Sequence, residues 1–265
     1  LAKNYNGYKN LIKLVSKSWM EGYYYRPRTD RVELEKYHED LIVCSACIAG
    51  EVPSKIIKDD LEGAREACEW YHRVFGDDYY LELQRHEVKD PTILANREAF
   101  PLQQKANKVL LEFAKEYGIK VICTNDVHFE DKETAEAHDH LLCLSTGKDL
   151  DDPNRMRYSK QEWFKTREEM NDIFSDVPEA LSNTLEIFDK VELYSIEHGP
   201  IMPFFPIPES FGTEEGWRKK FTEADLYREF TSDENGENPL SQEEGQKVID
   251  RLGGYDKIYR IKFEA

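Results

Sequence analysis

The chain has 265 residues, 40% hydrophobic and 34% charged, a balance that suits a soluble globular protein of one or two domains with a real core. No run approaches the roughly 20 apolar residues of a membrane span, and no basic-then-apolar signal region opens the chain. A formal net charge of −17 excludes general affinity for phosphate backbones, so any nucleic-acid role has to be local or lie in other parts of a longer protein.

The order of elements is informative from the start. Leu11, Leu14, Val15 and Trp19 form an apolar stripe at helical spacing, which predicts a helix over 8–21. Gly22 and Pro27 then bracket an extended Tyr23-Tyr24-Tyr25-Arg26-Pro27-Arg28 segment. It reads as a loop whose tyrosines pack on the core, with Tyr25, Arg26 and Arg28 as anion contacts in the alternative. After a short helical stretch, Leu41-Ile42-Val43 reads as a strand that exits into Cys44-Ser45-Ala46-Cys47 and Ala49-Gly50. Pro53 opens a helical stretch to about Phe75, broken by Gly76-Asp77-Asp78. Tyr79-Tyr80-Leu81-Glu82-Leu83-Gln84-Arg85-His86 reads as the second strand, its β-prone residues leading to polar Gln84 and His86 at the exit. A helix over roughly 91–117 ends at Gly118, in the position that helix C-termini favour. The third strand, 120–124, runs into Asn125-Asp126-Val127-His128.

Strand alternating with helix implies parallel strands joined by helical crossovers, and hence an α/β fold. In such folds chemistry collects where the carboxyl ends of the strands emerge. Cys47, His86, Asp126 and His128 all lie just past strand ends. In extended backbone, residues two apart project to one face, so Asp126 and His128 could aim a carboxylate and an imidazole at a common spot. Both groups bind divalent metals and both can act as acid or base; the plainer alternative is an Asn-Asp turn followed by a surface histidine. Cys47 is either a soft ligand suited to zinc or a small buried residue. Glu82 and His86 share a strand face with Gln84 between them. A hydrolytic site needs three or more protein ligands per ion and an open position for water, and the residues in view fall short of a multi-metal set.

Beyond the third strand, 133–144 is helical and carries His138 and His140, about 200° apart around the helix, so the two cannot face one site. His138, near the helix start, is the one able to approach the strand exits. Two helices follow over 166–190, broken at Asp176-Val177-Pro178, and then a short strand at Val191–Tyr194. Pro200 to Pro208 is rich in proline and aromatic residues and reads as an extended linker at a domain boundary. The last stretch, 241–265, is helical in pattern with an interruption at Gly253-Gly254. The five cysteines, Cys44, Cys47, Cys68, Cys123 and Cys143, are odd in number and suggest a reducing, cytoplasmic setting rather than a disulfide framework. Opening without Met and stopping in mid-pattern, the chain reads as a piece of a longer protein.

Several of these motifs occur together, in the same order, in one family. Gly7-Tyr8-Lys9-Asn10-Leu11, Gly22-Tyr23-Tyr24-Tyr25-Arg26-Pro27-Arg28, Ser45-Ala46-Cys47, Tyr80-Leu81-Glu82-Leu83-Gln84-Arg85-His86, Thr124-Asn125-Asp126-Val127-His128 and Asp176-Val177-Pro178-Glu179-Ala180 resemble the bacterial DNA polymerase III alpha subunits. The likeness falls in their PHP (polymerase and histidinol phosphatase) domain and covers about 190 residues. It implies a PHP-type distorted (β/α)7 barrel over residues 1–199, incomplete at its N-terminus, followed over 200–265 by a linker and the helical start of the polymerase palm. Cys47, Asp126 and His128 match the family's metal ligands, with Zn2+ or another divalent metal at that site. His86, His138 and Glu82 form a second tier. The resemblance places the family's other ligands before Leu1 and the polymerase aspartates, which use Mg2+, beyond Ala265. It further implies DNA, a proofreading exonuclease subunit and other replisome subunits as partners, and no membrane. Neither active site is then complete in this chain. Two other roles stand beside this: a free-standing PHP phosphoesterase, and a non-catalytic docking module for the exonuclease subunit.

Overall fold

Parallel strands are what the strand–helix alternation requires, and the computed structural model of the chain has them. The structure describes residues 1–90, 98–200, 202, 209–232 and 240–264. The chain forms two compact units, Leu1–Ile196 and Glu197–Ala265.

In the first unit, strands β1 (Val43–Cys44), β2 (Tyr79–Leu83) and β3 (Val121–Cys123) pair in the order β1-β2-β3, all parallel. Val43 lies opposite Tyr79 and Leu81 opposite Val121, which puts all three exits at the same end. Helices α1 (Tyr5–Met20) and α2 (Arg31–Lys36) precede the sheet. The first crossover is α3 (Glu51–Ile57) and α4 (Leu61–Phe75), and the second is α5 (Ala99–Tyr117). After β3 come α6 (Ala135–Thr146), α7 (Arg167–Ile173) and α8 (Pro178–Lys190).

The period of two along β2 sorts its residues between two layers. Leu81 and Leu83 face the larger core with Val121, Cys123, Ala64, Ala67, Leu110 and Phe113. Tyr80 faces the other way and packs with Ile42, Ile122 and Ile187 of α8. Helices therefore cover both faces, as a parallel sheet demands. Each fully buried Leu or Phe in these layers contributes about 1.5–3 kcal/mol.

Local chemistry sets the boundaries. The side chain of Asn4 accepts from the Gly7 amide at 3.0 Å and starts α1. The single helix expected from Pro53 to Phe75 is two helices: Asp59 sits at φ 64°, and the Asp60 carboxylate accepts from Gly63 N at 3.0 Å to cap a new one. Gly118, at φ 69°, ends α5 as expected. Positions 91–97 of that expected helix lie outside the described residues. The strand expected at 79–86 stops pairing at Leu83, and Gln84–His86 leave the sheet. No strand forms at Val191–Tyr194: Glu192 makes one backbone hydrogen bond, to Lys3 O at 2.8 Å, while the Leu193 side chain is fully exposed. The tyrosines at 23–25 do not pack on the core either; all three are exposed. Pro178 occupies the first turn of α8, which accounts for the expected break before it.

The second unit holds α9 (Glu214–Lys220), α10 (Glu223–Thr231), α11 (Gln242–Leu252) and α12 (Tyr255–Glu264). Leu226, Ile249 and Ile258 form its buried centre, surrounded by Phe221, Tyr227, Phe230 and Tyr259. Gly253, at φ 93°, divides the last two helices where the sequence predicts a break. Of the expected linker, only Pro200 and Met202 are described.

Candidate functional site at the strand exits

Each strand leaves the sheet through a hydrogen-bonded turn, and the three turns surround one cavity. After β1, Ser45 N donates to Tyr80 O at 2.9 Å, and Ser45 Oγ accepts from Glu82 N at 2.8 Å. The loop then doubles back through Ala46 at φ 63°, and Gly50 N donates to Cys47 O at 2.8 Å. Gly50 is required there, because a Cβ would sit 2.1 Å from Ser45 O. We expect Gly50→Ala to cost about 1–3 kcal/mol by forcing the backbone apart. Thiol labelling checks the geometry: Cys47, half-buried now, should react faster in the variant, while buried Cys68 should not.

After β2, Arg85 turns away from the cavity and forks onto Asp176 at 2.5 and 2.9 Å, stacked over Phe174. His86 turns inward and is buried. Its backbone N–H donates to Gln103 Oε1 at 2.8 Å, so the Gln103 amide nitrogen is what faces His86 Nδ1 at 3.0 Å. Nδ1 is therefore the acceptor, and Nε2–H donates to Asn125 O at 3.1 Å. The imidazole is neutral. Burial holds its pKa below the usual histidine value, against the opposing pull of the Glu162 carboxylate 3.4 Å from Nδ1.

After β3, Asn125 Nδ2 donates to Gln161 O at 2.9 Å and Trp163 O at 2.7 Å, and His128 N donates to Glu162 O at 2.8 Å. Asp126 adopts φ 48°, so the extended alternation predicted for Asp126 and His128 is broken between them. Asp126 lines the cavity. His128 stands beside it, with its ring 4.3 Å from Tyr158 and 5.6 Å from His138, and with Nδ1 4.0 Å from Asp126 Oδ1. His138 reaches the same aromatic group, whereas His140 is exposed. Glu82 stays at the sheet end, accepting from the Thr124 hydroxyl and from Gln84.

The cavity encloses about 820 Å³ and is lined by Cys47, His86, Asp126, Arg157, Tyr158 and Glu162 among others. Cys47, His86 and Asp126 thus converge from three separate strand exits. Sequence reasoning missed Glu162 and Arg155. Glu162 is buried and accepts from Ser159 N at 3.1 Å and Gln161 N at 2.9 Å. Arg155 forks onto Asp139 of α6 at 2.6 and 2.7 Å, fixing the loop that forms one wall. Gln103 had a readable signal: it is an amide in line with Ala106, Leu110 and Phe113 on the buried stripe of α5.

Electrostatically the site carries both signs of charge and is partly dehydrated. Burial, with Asp126 and Glu162 nearby, pushes the Tyr158 hydroxyl up, and burial brings the Lys165 ammonium down to about 8. Burial and then Glu82 push the Cys44 thiol up to about 11, so it is no thiolate. Among the described residues, no three His, Cys, Asp or Glu side chains are grouped closely enough to hold a metal ion. Those donors do not amount to a zinc set.

Residues 1–86 match the PHP domain family. Beyond that, the chain is 43% identical to DNA polymerase III subunit alpha of Borreliella burgdorferi over 215 residues, covering 80% of this chain and 18% of the relative. It is 38% identical to the Campylobacter jejuni subunit over 224 residues and 34% identical to the Treponema pallidum subunit over 229, covering 80% and 86% of the chain and again 18% of each relative. The chain belongs to the DNA polymerase III alpha subunit family, of which it carries a PHP-domain portion. It spans about a fifth of the length of the curated relatives it matches.

Proposed function

We propose that the chain is the PHP-bearing part of a replicative DNA polymerase, acting in the whole protein beside template-directed DNA synthesis from deoxynucleoside triphosphates with Mg2+. The observation that carries this reading is the 43% identity over four-fifths of the chain. On it, β1–β3 are strands of a PHP-type (β/α)7 barrel over residues 1–199, and the helices after the linker belong to the start of the palm, over 200–265. The protein is cytoplasmic on this reading. No helix among the described residues is long and apolar enough to cross a membrane.

Cys47, Asp126 and His128 are this chain's share of a divalent-metal site, in a domain with either a 3′-5′ exonuclease-like phosphoesterase role or a platform role for the proofreading exonuclease subunit. His86 supports the turn that carries Asp126 through its bond to Asn125 O. His138 and Glu82 stand one layer out. Zinc needs about four donors, and the described ones fall short of that, so the chain by itself should take up zinc weakly and hydrolyse no DNA; without the polymerase aspartates that the family resemblance places elsewhere, it should not polymerise either. Equilibrium dialysis against zinc, with primer-extension and nuclease assays on the same preparation, tests this. Tight stoichiometric zinc together with nuclease activity would refute it, and co-purification with the exonuclease subunit would favour the platform role.

A further inference from the structure

The tyrosine turn after α1 is a motif that the strand-exit site leaves without a use. Gly7, Asn10 and Leu14 form the buried side of α1. The opposite side carries Ile12, Val15 and Trp19, all exposed. Trp19 stacks on Tyr23, with centroids 5.8 Å apart and planes 20° from parallel. Beyond Gly22, Tyr24 and Tyr25 meet edge to face at 4.6 Å and are 62% and 81% exposed, while the Arg28 guanidinium covers one face of Tyr24 at 5.1 Å. The turn is pinned: Gly22 N donates to Lys17 O at 3.0 Å, Tyr24 N to Arg26 O at 3.1 Å and Arg28 N to Ser18 O at 3.4 Å. These rings are held outward in an ordered turn.

The charge around them reverses that of the molecule. Residues 1–28 carry six basic side chains and one acid, Glu21, a local balance of +5 in a chain of net −17. Among the described residues, no carboxylate pairs with Lys9, Lys13, Arg26 or Arg28. Exposed aromatic faces interleaved with unpaired cations fit a ligand with flat faces and regular negative charge. A single-stranded polynucleotide has both, whereas a duplex hides its base faces.

We propose that the outer face of α1 and the turn Tyr23–Arg28 bind a single-stranded polynucleotide, its bases stacking on Trp19, Tyr24 and Tyr25 and its phosphates meeting Arg26 and Arg28. The surface uses no residue of the strand-exit cavity, so its failure would leave the family reading standing.

The test is a titration of the whole chain with an oligothymidylate of about 12 nucleotides, and with the matching oligouridylate, followed by anisotropy and tryptophan fluorescence. Saturable binding to either, with quenching that is lost in Trp19→Phe, is the expected result, and the two arms show which sugar is preferred. Affinity should fall as salt rises, and Arg26→Ala with Arg28→Ala should shallow that dependence by about one phosphate's share per arginine. Tyr24→Ala and Tyr25→Ala should each weaken binding at least about fivefold. Phe188→Ala, an exposed ring on α8, should leave it unchanged. Because the altered side chains are exposed, circular dichroism should show every variant folded. Absence of saturable binding, equal affinity for duplex, or indifference to the tyrosine variants would each overturn the proposal and leave the surface to an apolar protein partner.

Discussion

Replacing Arg155 with methionine should destabilise the first unit by about 3–5 kcal/mol, the range for breaking one side of a buried ion pair. The guanidinium and the Asp139 carboxylate are 8% and 10% exposed and meet in a two-bond fork. Arg155 also donates through Nε to Leu150 O at 2.9 Å, so it ties the loop after α6 to itself as well as to Asp139. Methionine fills the space but leaves Asp139 as a buried charge without a partner. Urea unfolding of the single variant, of Asp139→Leu and of the double variant separates the pair energy from packing. The double variant should lose much less than Arg155→Met, because two apolar residues have no charge to strand.

The pair also sets a pH dependence. Arg155 holds the Asp139 carboxyl below its usual range, so its stabilising contribution is complete above about pH 4 and is lost as pH falls through the lowered value. The gap between wild type and Arg155→Met should therefore narrow in acid. A gap that stays constant down to the point of acid unfolding would mean that the loss is one of packing alone.

The sheet and its crossovers were legible because each depends on short-range pattern. Tyr79–Leu83 is β-prone along its length, Gly118 ends a helix by local geometry, and strand–helix alternation leaves parallel pairing as the economical topology. What escaped depends on tertiary context. Asp126 adopts a left-handed conformation because Asn125 is fastened to Gln161 and Trp163 on one side and His128 to Glu162 on the other, contacts 34 to 38 residues away in sequence. Nothing local marks that turn, and the extended alternation expected of Asp126 and His128 ends there. Glu162 and Arg155 are hidden for a related reason. In a chain with 34% charged residues, a buried carboxylate or guanidinium looks like its solvated neighbours until the fold brings its donors together. The tyrosines at 23–25 err the other way, since aromatic content alone suggests core, and the glycine and proline beside them turn the rings outward.

His86 offers the second large effect, and its sign follows from the tautomer. Gln103 Oε1 is committed to the His86 amide, so its NH2 must face Nδ1, and only a deprotonated Nδ1 accepts it. Protonating the ring would set two donors against each other, and the Glu162 carboxylate 3.4 Å away compensates only in part. The folded pKa is thus below the unfolded value near 6.5, mainly because the ring is buried. As pH drops below about 6.5 the unfolded chain takes up a proton that the folded chain refuses, and stability falls until the folded pKa is reached. His86→Ala removes the proton but leaves the Gln103 amide and the Asn125 carbonyl unsatisfied beside a void, at about 3 kcal/mol. His86→Gln keeps a donor and an acceptor and should lose less. Both variants should flatten the stability profile between about pH 6.5 and 5. Denaturation midpoints measured across that window decide it: a wild-type slope that survives in both variants would place the titrating group elsewhere and remove the case for a neutral His86 at the centre of this site.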